Sequence, residues 1–227
     1  MSNLSSLRVG GLVPLTMIDF PGHLAAVVFL QGCPWQCLYC QNPHLQKEKS
    51  AESLSSWEEV ETFLATRKGK LDGVIFSGGE PLLTPQIRAL AERVHALGFL
   101  VALHTGGAFP ERLLDLLPLL NWVGFDVKVP FSEYAAITQV PNSGLLAEQS
   151  LDLLINSNIP FEVRTTAHPN FLSQEKLWML VQELIQKGVE IFALQRARDL
   201  KGDYLPGFYD PSFVDTLRPL FKHFILR

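Results

Sequence analysis

Three cysteines lie close together in a chain of 227 residues that has no others. They are Cys33, Cys37 and Cys40, with the spacing Cys-x3-Cys-x2-Cys. An odd, clustered set of thiols indicates metal binding rather than disulfide bonding. Three thiolates on one short loop could hold three irons of a cubane cluster, and the fourth iron would then have no cysteine ligand. Chemistry on a substrate requires such an open position at the metal.

The same loop allows a second interpretation. His44 follows Cys40 by four residues, so three thiolates and one imidazole could form a tetrahedral zinc site. Such a site would be structural, and the chain would then be a binding module without catalysis. Spacing alone leaves both metals open.

Composition narrows the class of protein. Hydrophobic residues make up 47% and charged residues 19%, which is sufficient for a sizeable core. We expect a single domain over residues 1–227, because no linker or repeat is evident. The net charge of −4 gives no general attraction to nucleic acid or anionic membranes. Met1–Gly11 has no apolar core of signal-peptide length, and Leu24–Leu30 is too short to span a membrane, so we expect a cytoplasmic protein.

Predicted strands and helices alternate along the chain. Strands are expected at Ala25–Leu30, Val74–Ser77, Phe99–Leu103, Trp122–Val127, Phe161–Thr166 and Val189–Leu194. Helices are expected at Trp57–Thr66, Pro85–Leu97, Pro110–Leu117, Leu145–Asn156, Gln174–Lys187 and Ser212–Phe221. Phe131–Gly144 and Lys201–Pro211 are expected to be long loops. This alternation predicts βαβ units and a parallel sheet.

The faces of two predicted strands favour a barrel over an open sheet. Gly124, Asp126 and Lys128 share one face of the fourth strand, and Glu162 and Arg164 share one face of the fifth. An open parallel sheet covered by helices should be apolar on both faces. A polar face therefore indicates strands that line a cavity.

The cysteine motif resembles the signature of the radical S-adenosylmethionine (SAM) superfamily, Cys-x3-Cys-x-aromatic-Cys, with Tyr39 as the aromatic residue. A second stretch, Ser77-Gly78-Gly79-Glu80-Pro81, ends the second predicted strand and resembles the Gly-Gly-Glu motif of that superfamily. Glycines let the backbone approach a ligand closely, and Glu80 offers a carboxylate to an ammonium group. Together the two motifs favour an iron–sulfur cluster over zinc.

Within the superfamily the chain resembles the activases of glycyl radical enzymes, and most of all the short activating proteins of anaerobic ribonucleoside-triphosphate reductases. This likeness rests on Leu15–Gly22, Cys40–Pro43, Gly124–Lys128 and Phe161–Thr166, and it extends from about Leu7 to Leu200. The resemblance implies an α/β fold, a partial (β/α)6 TIM-like barrel of parallel strands. SAM and the cluster would lie at the carboxyl ends of those strands.

The resemblance also assigns roles to single residues. Cys33, Cys37 and Cys40 would bind a [4Fe–4S] cluster, whose open iron would take the amino and carboxylate groups of SAM. Further cofactor-binding residues would be Gly78, Gly79 and Glu80 at the amino group, the Tyr39 backbone at the adenine, and Arg164 and Lys128, with Asp126 beside them, at the carboxylate and ribose. An arginine suits a carboxylate because it can donate two parallel hydrogen bonds. Two alternatives stay open, a structural Arg164–Glu162 pair and an ion pair between Asp126 and Lys128.

The implied reaction is reductive cleavage of SAM to methionine and a 5′-deoxyadenosyl radical, which removes a hydrogen atom from a partner. That partner would be a glycyl radical enzyme, by resemblance the anaerobic ribonucleotide reductase. Reducing a sulfonium requires a low cluster potential, which implies a flavodoxin- or ferredoxin-like electron donor. The alternative enzyme class is a radical SAM enzyme that acts on a small molecule, of the modified-purine type.

One segment departs from the activase pattern. Some activases carry Asp-Thr-Asn-Gly after the third strand, where the Asp helps to bind a monovalent cation near SAM. In this chain His104 stands in place of that Asp and Gly106 in place of the Asn. Imidazole is a poor ligand for an alkali cation, which argues against the cation site. His168 and Gln195 follow or end later strands and are candidate pocket residues.

Overall fold

The computed structural model describes Leu4 and residues 7–47 and 55–227. Part of the Met1–Gly11 segment therefore lies outside the described residues. No helix in the described ranges is both long enough and apolar enough to cross a membrane.

A mixed sheet forms the centre of the molecule. Within the described ranges its nine strands are β1 (Arg8–Thr16), β2 (Ala25–Leu30), β3 (Ser55–Ser56), β4 (Gly73–Gly78), β5 (Leu100–Thr105), β6 (Trp122–Asp126), β7 (Phe161–Ala167), β8 (Ile191–Arg196) and β9 (His223–Leu226). Their order is β3-β1-β2-β4-β5-β6-β7-β8-β9. All strands from β2 to β9 in this order are parallel, and β1 pairs antiparallel with β2 and β3. This arrangement confirms the predicted α/β fold on a partial barrel of parallel strands.

Helices cover the outer face of the sheet. They are α1 (Trp57–Ala65), α2 (Ile87–Ala96), α3 (Pro110–Leu116), α4 (Tyr134–Thr138), α5 (Ser143–Ile155), α6 (Gln174–Gln186) and α7 (Pro211–Leu217). Local sequence fixes several ends. For example, α1 begins at a capping box in which Ser56 and Glu59 each bond the backbone N–H of the other.

The structure corrects three predictions. Strands β1 and β9 were not expected, and the parallel part of the sheet is therefore one strand wider than predicted. The segment Phe131–Gly144 is not a loop, because it contains α4 and the start of α5. The last helix ends at Leu217, and a 3-10 turn over Arg218–Leu220 accommodates the proline at position 219.

The two faces of the sheet carry separate apolar clusters. The larger one packs the outer face against the helices. The smaller one lies on the inner face, where Phe20 contacts Ile75, Ala102 and Trp122. Phe20 comes from the turn between β1 and β2 and is 2% exposed. It closes the lower half of the barrel interior, and polar side chains line the half above it.

Candidate active site

A cavity at the carboxyl ends of the parallel strands brings the predicted site residues together. Its lining includes all ten of them: Cys33, Cys37, Tyr39, Cys40, Gly78, Gly79, Glu80, Asp126, Lys128 and Arg164. Trp35, Thr105 and Thr166 also line it, although no sequence motif marked them. Parallel barrels present their functional loops at this end, so the cavity is the candidate active site.

The cysteine loop, residues 33–40, follows β2 and is held by backbone hydrogen bonds. Cys33 N–H donates to Gln46 O at 3.0 Å, Gln36 N–H to Thr138 O at 2.9 Å, and Leu38 N–H to Ile137 O at 3.2 Å. The last two bonds reach α4, the helix that the sequence did not predict. Because the main chain fixes the loop, its thiols are left free for ligation.

The donor set of the loop fits a cluster better than a zinc ion. All three cysteines are free thiols, half-buried at the cavity wall. Within the described ranges, no three His, Cys, Asp or Glu side chains are placed to share one metal ion, whereas the thiolates of a cubane bind different irons. His44 is exposed and is not among the cavity-lining residues. The Cys3His zinc interpretation therefore has no geometric support.

Burial controls the protonation of two of these thiols. It raises the pKa of Cys33 to about 12. It also raises the pKa of Cys37, although the positive charge of Lys128 opposes the shift. Without metal both thiols are protonated at neutral pH, so binding metal at this loop must release protons.

The Gly78–Gly79 pair packs against the start of the cysteine loop. Gly78 has φ +129°, and a Cβ there would lie 2.2 Å from Leu30 O. A Cβ on Gly79 would lie 2.1 Å from Gly32 O. This absence of side chains lets Glu80 N–H donate to Gly32 O at 2.8 Å. The pair therefore joins the end of β4 to the cysteine loop.

Glu80 is buried, with 2% of its surface exposed. Its carboxylate accepts hydrogen bonds from Thr105 Oγ1 at 2.7 Å, Leu82 N at 3.1 Å and Gly106 N at 3.0 Å. Burial raises the pKa of this carboxyl, and the three hydrogen bonds oppose that shift. A carboxylate has about four lone-pair positions, so one stays available to a donor in the cavity.

The Arg164 guanidinium lies flat across β6 and is almost fully buried. Its Nε donates to Asp126 Oδ1 at 2.9 Å. A Cβ on Gly124 would lie 2.6 Å from Arg164 Cζ, so the glycine provides the space for the guanidinium. The alternative Arg164–Glu162 pair is wrong, because Glu162 binds both Nη atoms of Arg227 at 2.8 and 3.0 Å.

Asp126 and Lys128 do not form the ion pair considered above. Asp126 pairs with Arg164, and that guanidinium lowers the pKa of the carboxyl against the effect of burial. The Lys128 ammonium lies 5.7 Å from the centre of the Trp35 ring. Burial alone would lower the pKa of Lys128, but the neighbouring Cys37, Tyr39 and Asp126 raise it above its usual value. The cavity therefore holds two cations, of which Arg164 is held by an ion pair.

His104 lines the cavity and contacts the turn between β1 and β2, which lies below the cavity. Its Nε2–H donates to Asp19 O at 2.9 Å, which leaves Nδ1, 3.5 Å from Arg164 Nη1, as the acceptor for the guanidinium. Burial and the Arg164 charge lower the pKa of His104 to about 3. The imidazole is therefore neutral and supports Arg164 without repelling it.

The two other candidate pocket residues lie elsewhere. His168 stacks on the Tyr39 ring at a centroid distance of 5.4 Å, and Phe171 also stacks on the Tyr39 ring, at 5.7 Å. His168 thus contacts the cysteine loop from outside the cavity. Gln195 is half-buried and is not among the cavity-lining residues.

Comparison with known proteins agrees with this geometry. The Radical SAM superfamily profile matches residues 27–180. The chain is 28% identical over 197 residues to the predicted glycyl-radical enzyme activating enzyme MJ1227 of Methanocaldococcus jannaschii, covering 83% of this chain and 79% of that protein. It is 29% identical over 129 residues to 7-carboxy-7-deazaguanine synthase of Thermococcus kodakarensis, covering 47% and 50%.

A solved structure shows the same fold over almost the whole chain. The crystal structure of QueE from Escherichia coli superposes with a TM-score of 0.61 at 18% identity, covering 97% of this chain and 93% of that one. The profile match spans more than half of the sequence and includes the cysteine loop, the Gly-Gly-Glu motif and Arg164. The chain therefore belongs to the radical SAM superfamily, whose members use a [4Fe–4S] cluster and SAM.

Proposed function

We propose that this protein is an activase that uses SAM and a [4Fe–4S] cluster to generate a glycyl radical on a partner enzyme. The observation that carries the proposal is the convergence of the three thiols, the Gly-Gly-Glu turn and the Arg164–Asp126 pair on one cavity. The relative MJ1227, similar over 83% of this chain, bears the name of such an activating enzyme.

In this proposal Cys33, Cys37 and Cys40 hold the cluster. When bound, the cluster would supply the electron for the reductive cleavage of SAM to methionine and a 5′-deoxyadenosyl radical. Glu80 accepts a hydrogen bond from the SAM amino group through its remaining lone pair. The backbone of Gly78 and Gly79 borders the same group.

The carboxylate of SAM faces the two cations of the cavity, Arg164 and Lys128. Arg164 is held by Asp126 and His104 before any ligand arrives, so it binds a carboxylate with little reorganisation. Lys128 offers a second positive charge to the carboxylate or the ribose hydroxyls. The Tyr39 backbone borders the adenine. Phe20 and its apolar neighbours keep water out from below, which protects a reactive radical.

We further propose that the partner is an anaerobic ribonucleoside-triphosphate reductase and that a flavodoxin- or ferredoxin-like protein supplies the electron. The four stretches that resemble the activating proteins of those reductases support the first part. Two of them, Gly124–Lys128 and Phe161–Thr166, contribute Asp126, Lys128 and Arg164 to the cavity.

A radical SAM enzyme acting on a small molecule is the second candidate. The similarity to the deazaguanine synthase favours it, but that similarity covers 47% of this chain. The two candidates differ in the molecule that receives the radical. An activase must leave its cavity accessible to a loop of another protein.

Partner dependence tests the proposal. The reconstituted protein with SAM and reductant should cleave SAM slowly by itself. Adding the reductase should produce about one protein radical per 5′-deoxyadenosine released, because each abstraction consumes one SAM. Electron paramagnetic resonance would show the glycyl radical as a doublet. Turnover of a small metabolite, with no radical on any reductase tested, would instead establish the second candidate.

Substitution of Gly124 by Ala tests the placement of Arg164. The new Cβ would lie 2.6 Å from Cζ and should displace the guanidinium from Asp126. We expect SAM affinity to fall about tenfold, the loss of one charge-assisted hydrogen bond, with unchanged iron content. Isothermal titration with SAM measures this. Gly11→Ala on β1 is the control, because its nearest atom would be 3.7 Å away. Equal SAM affinity in both variants would show that Arg164 does not bind SAM.

A further inference from the structure

The cysteine loop separates the active-site cavity from a second depression on the outside of the barrel. This outer groove is lined by Leu38, Pro43, His168, Arg198, Leu200 and Leu205. Cys37, Tyr39 and Cys40 line both the outer groove and the cavity. The loop is therefore thin enough for a molecule in the outer groove to lie close to the cluster ligands without entering the cavity.

Apolar side chains project from the outer groove. Leu38 is 54% exposed at the outside of the cysteine loop, and Leu200 is 75% exposed on the segment that follows β8. Both lie beside polar and charged residues, a pattern that is typical of protein-binding sites.

Positive charge is concentrated at the rim of the outer groove. Arg196 and Arg198 both stack on the ring of Tyr204, with Cζ at 4.6 and 3.8 Å from its centroid. In the part of the chain that the structure describes, neither guanidinium forms a salt bridge with a carboxylate. Lys201 is exposed nearby. An acidic partner would compensate the mutual repulsion of these cations.

Two carboxylates belong to the same segment. Asp199 accepts hydrogen bonds from Lys201 N at 2.8 Å and Asp203 N at 3.0 Å, so its carboxylate is hydrogen-bonded within its own turn. Asp203 is exposed. The segment 196–203 still has a positive excess, on a chain whose net charge is −4. The three cations Arg196, Arg198 and Lys201 outnumber the two carboxylates of this segment, so the rim attracts an acidic protein.

The position of the outer groove decides what kind of partner fits. A protein that receives the radical must reach the cavity, where Glu80 and Arg164 lie. An electron donor needs only proximity, because electrons cross short distances without atomic contact. His168 lines the outer groove and stacks on Tyr39 of the cysteine loop, so packed aromatic rings connect the outer groove to the loop.

We propose that the outer groove is the docking surface for an acidic one-electron carrier protein that holds a flavin or an iron–sulfur centre. The inference rests on the proposed function. In the transfer, the reduced carrier loses one electron and the cluster at the three cysteines gains it. No atom or proton moves between the proteins.

Binding to the 227-residue chain without its cluster tests the surface independently of turnover. The probe is a bacterial flavodoxin, and its affinity is measured by titration calorimetry at low and high salt. Arg196→Glu with Arg198→Glu should weaken binding at least tenfold and reduce its salt dependence. The control is Lys68→Glu with Lys70→Glu, the same charge change in the turn before β4 at the opposite end of the strands. The control should bind flavodoxin like the parent.

Turnover separates this surface from the chemistry. With flavodoxin as the electron source, the Arg196/Arg198 variant should cleave SAM at least tenfold more slowly than the control variant. With dithionite, both should cleave SAM at equal rates. Leu200→Glu removes no polar contact of the rim. It should also weaken flavodoxin binding.

The results that overturn the proposal are distinct from those that overturn the activase. Equal flavodoxin binding by the Arg196/Arg198 variant and the control variant would place the docking surface elsewhere. Absence of SAM cleavage with dithionite in every protein would reject the proposed function, while the binding comparison would still decide the surface.

Discussion

Replacing Cys37 by Ala should remove the iron–sulfur cluster and all SAM cleavage while leaving the fold intact. The loop would retain two of its three thiolates, too few to hold a cubane that has one open iron. The fold should persist because the loop is fixed by backbone bonds to Gln46, Ile137 and Thr138. Iron and sulfide analysis after anaerobic reconstitution, with circular dichroism on the same sample, measures both parts.

The matched control for Cys37 is His44→Ala. A cluster on the cysteine loop does not need the exposed His44 side chain, so iron and sulfide should equal those of the parent protein. A Cys3His zinc site would instead lose its metal in this variant. Full iron and sulfide in Cys37→Ala would contradict the cluster assignment.

Substitutions of Glu80 should have the largest effect on SAM binding. Glu80→Gln removes the negative charge that accepts the hydrogen bond of the SAM amino group. A charge-assisted hydrogen bond is worth about 1.5–3 kcal/mol, so affinity should fall roughly 10- to 150-fold. The Gln side chain fills the same space, and its oxygen can still accept from Thr105 Oγ1 and Leu82 N, while its amide NH2 faces the Gly106 N–H and the SAM amino group, which are both donors. The SAM dissociation constant, measured on samples of equal iron content, checks this.

Glu80→Ala should also destabilise the protein. It leaves the buried donors of Leu82, Thr105 and Gly106 without an acceptor, and each unsatisfied donor costs about 1–3 kcal/mol. We expect the free energy of unfolding to fall by a few kcal/mol in urea titrations. Thr105→Val is the comparison, because it removes one donor and no charge and should keep SAM binding. Unchanged SAM affinity in Glu80→Gln would leave Glu80 with a structural role alone.

The sequence revealed the parts of the site that lie within short segments. The cysteine spacing and the Gly-Gly-Glu turn are contiguous, so their chemistry can be recognised without knowing the fold. The polar faces of β6 and β7 predicted a lined cavity, because alternation along a strand is a local property.

Partners across strands were not predictable in the same way. Glu162 is two residues from Arg164 and on the same face, which made it a reasonable partner. The register places Asp126 directly beside Arg164 on the neighbouring strand, and this spacing is shorter than that between alternate residues of one strand. Register depends on how the whole sheet assembles, and Glu162 is bound by Arg227, which directly follows β9, a strand that was not predicted.

Strand β1 was missed for a related reason. Its two glycines and Pro14 are typical of turns. Among the described residues β3 pairs only with Arg8 and Val9, so within that part of the chain no strand on that side requires a hydrogen bond from Pro14. The register with β2 is also irregular between Val13 and Thr16, a bulge that accommodates the proline.

The turn between β1 and β2 sets the depth of the cavity. Phe20 fills the lower interior and contacts Gly73 of β4, while Asp19 O binds His104 at the level of Arg164. The turn contributes Phe20 to this floor, and inner-face side chains of the parallel strands, Ile75, Ala102 and Trp122 among them, belong to the same apolar cluster. A substitution in one short hairpin turn could therefore enlarge or reduce the space below the cofactor while every proposed ligand stays unchanged. Ligand size and catalytic chemistry are encoded in separate segments of this barrel, so evolution could adjust one without altering the other.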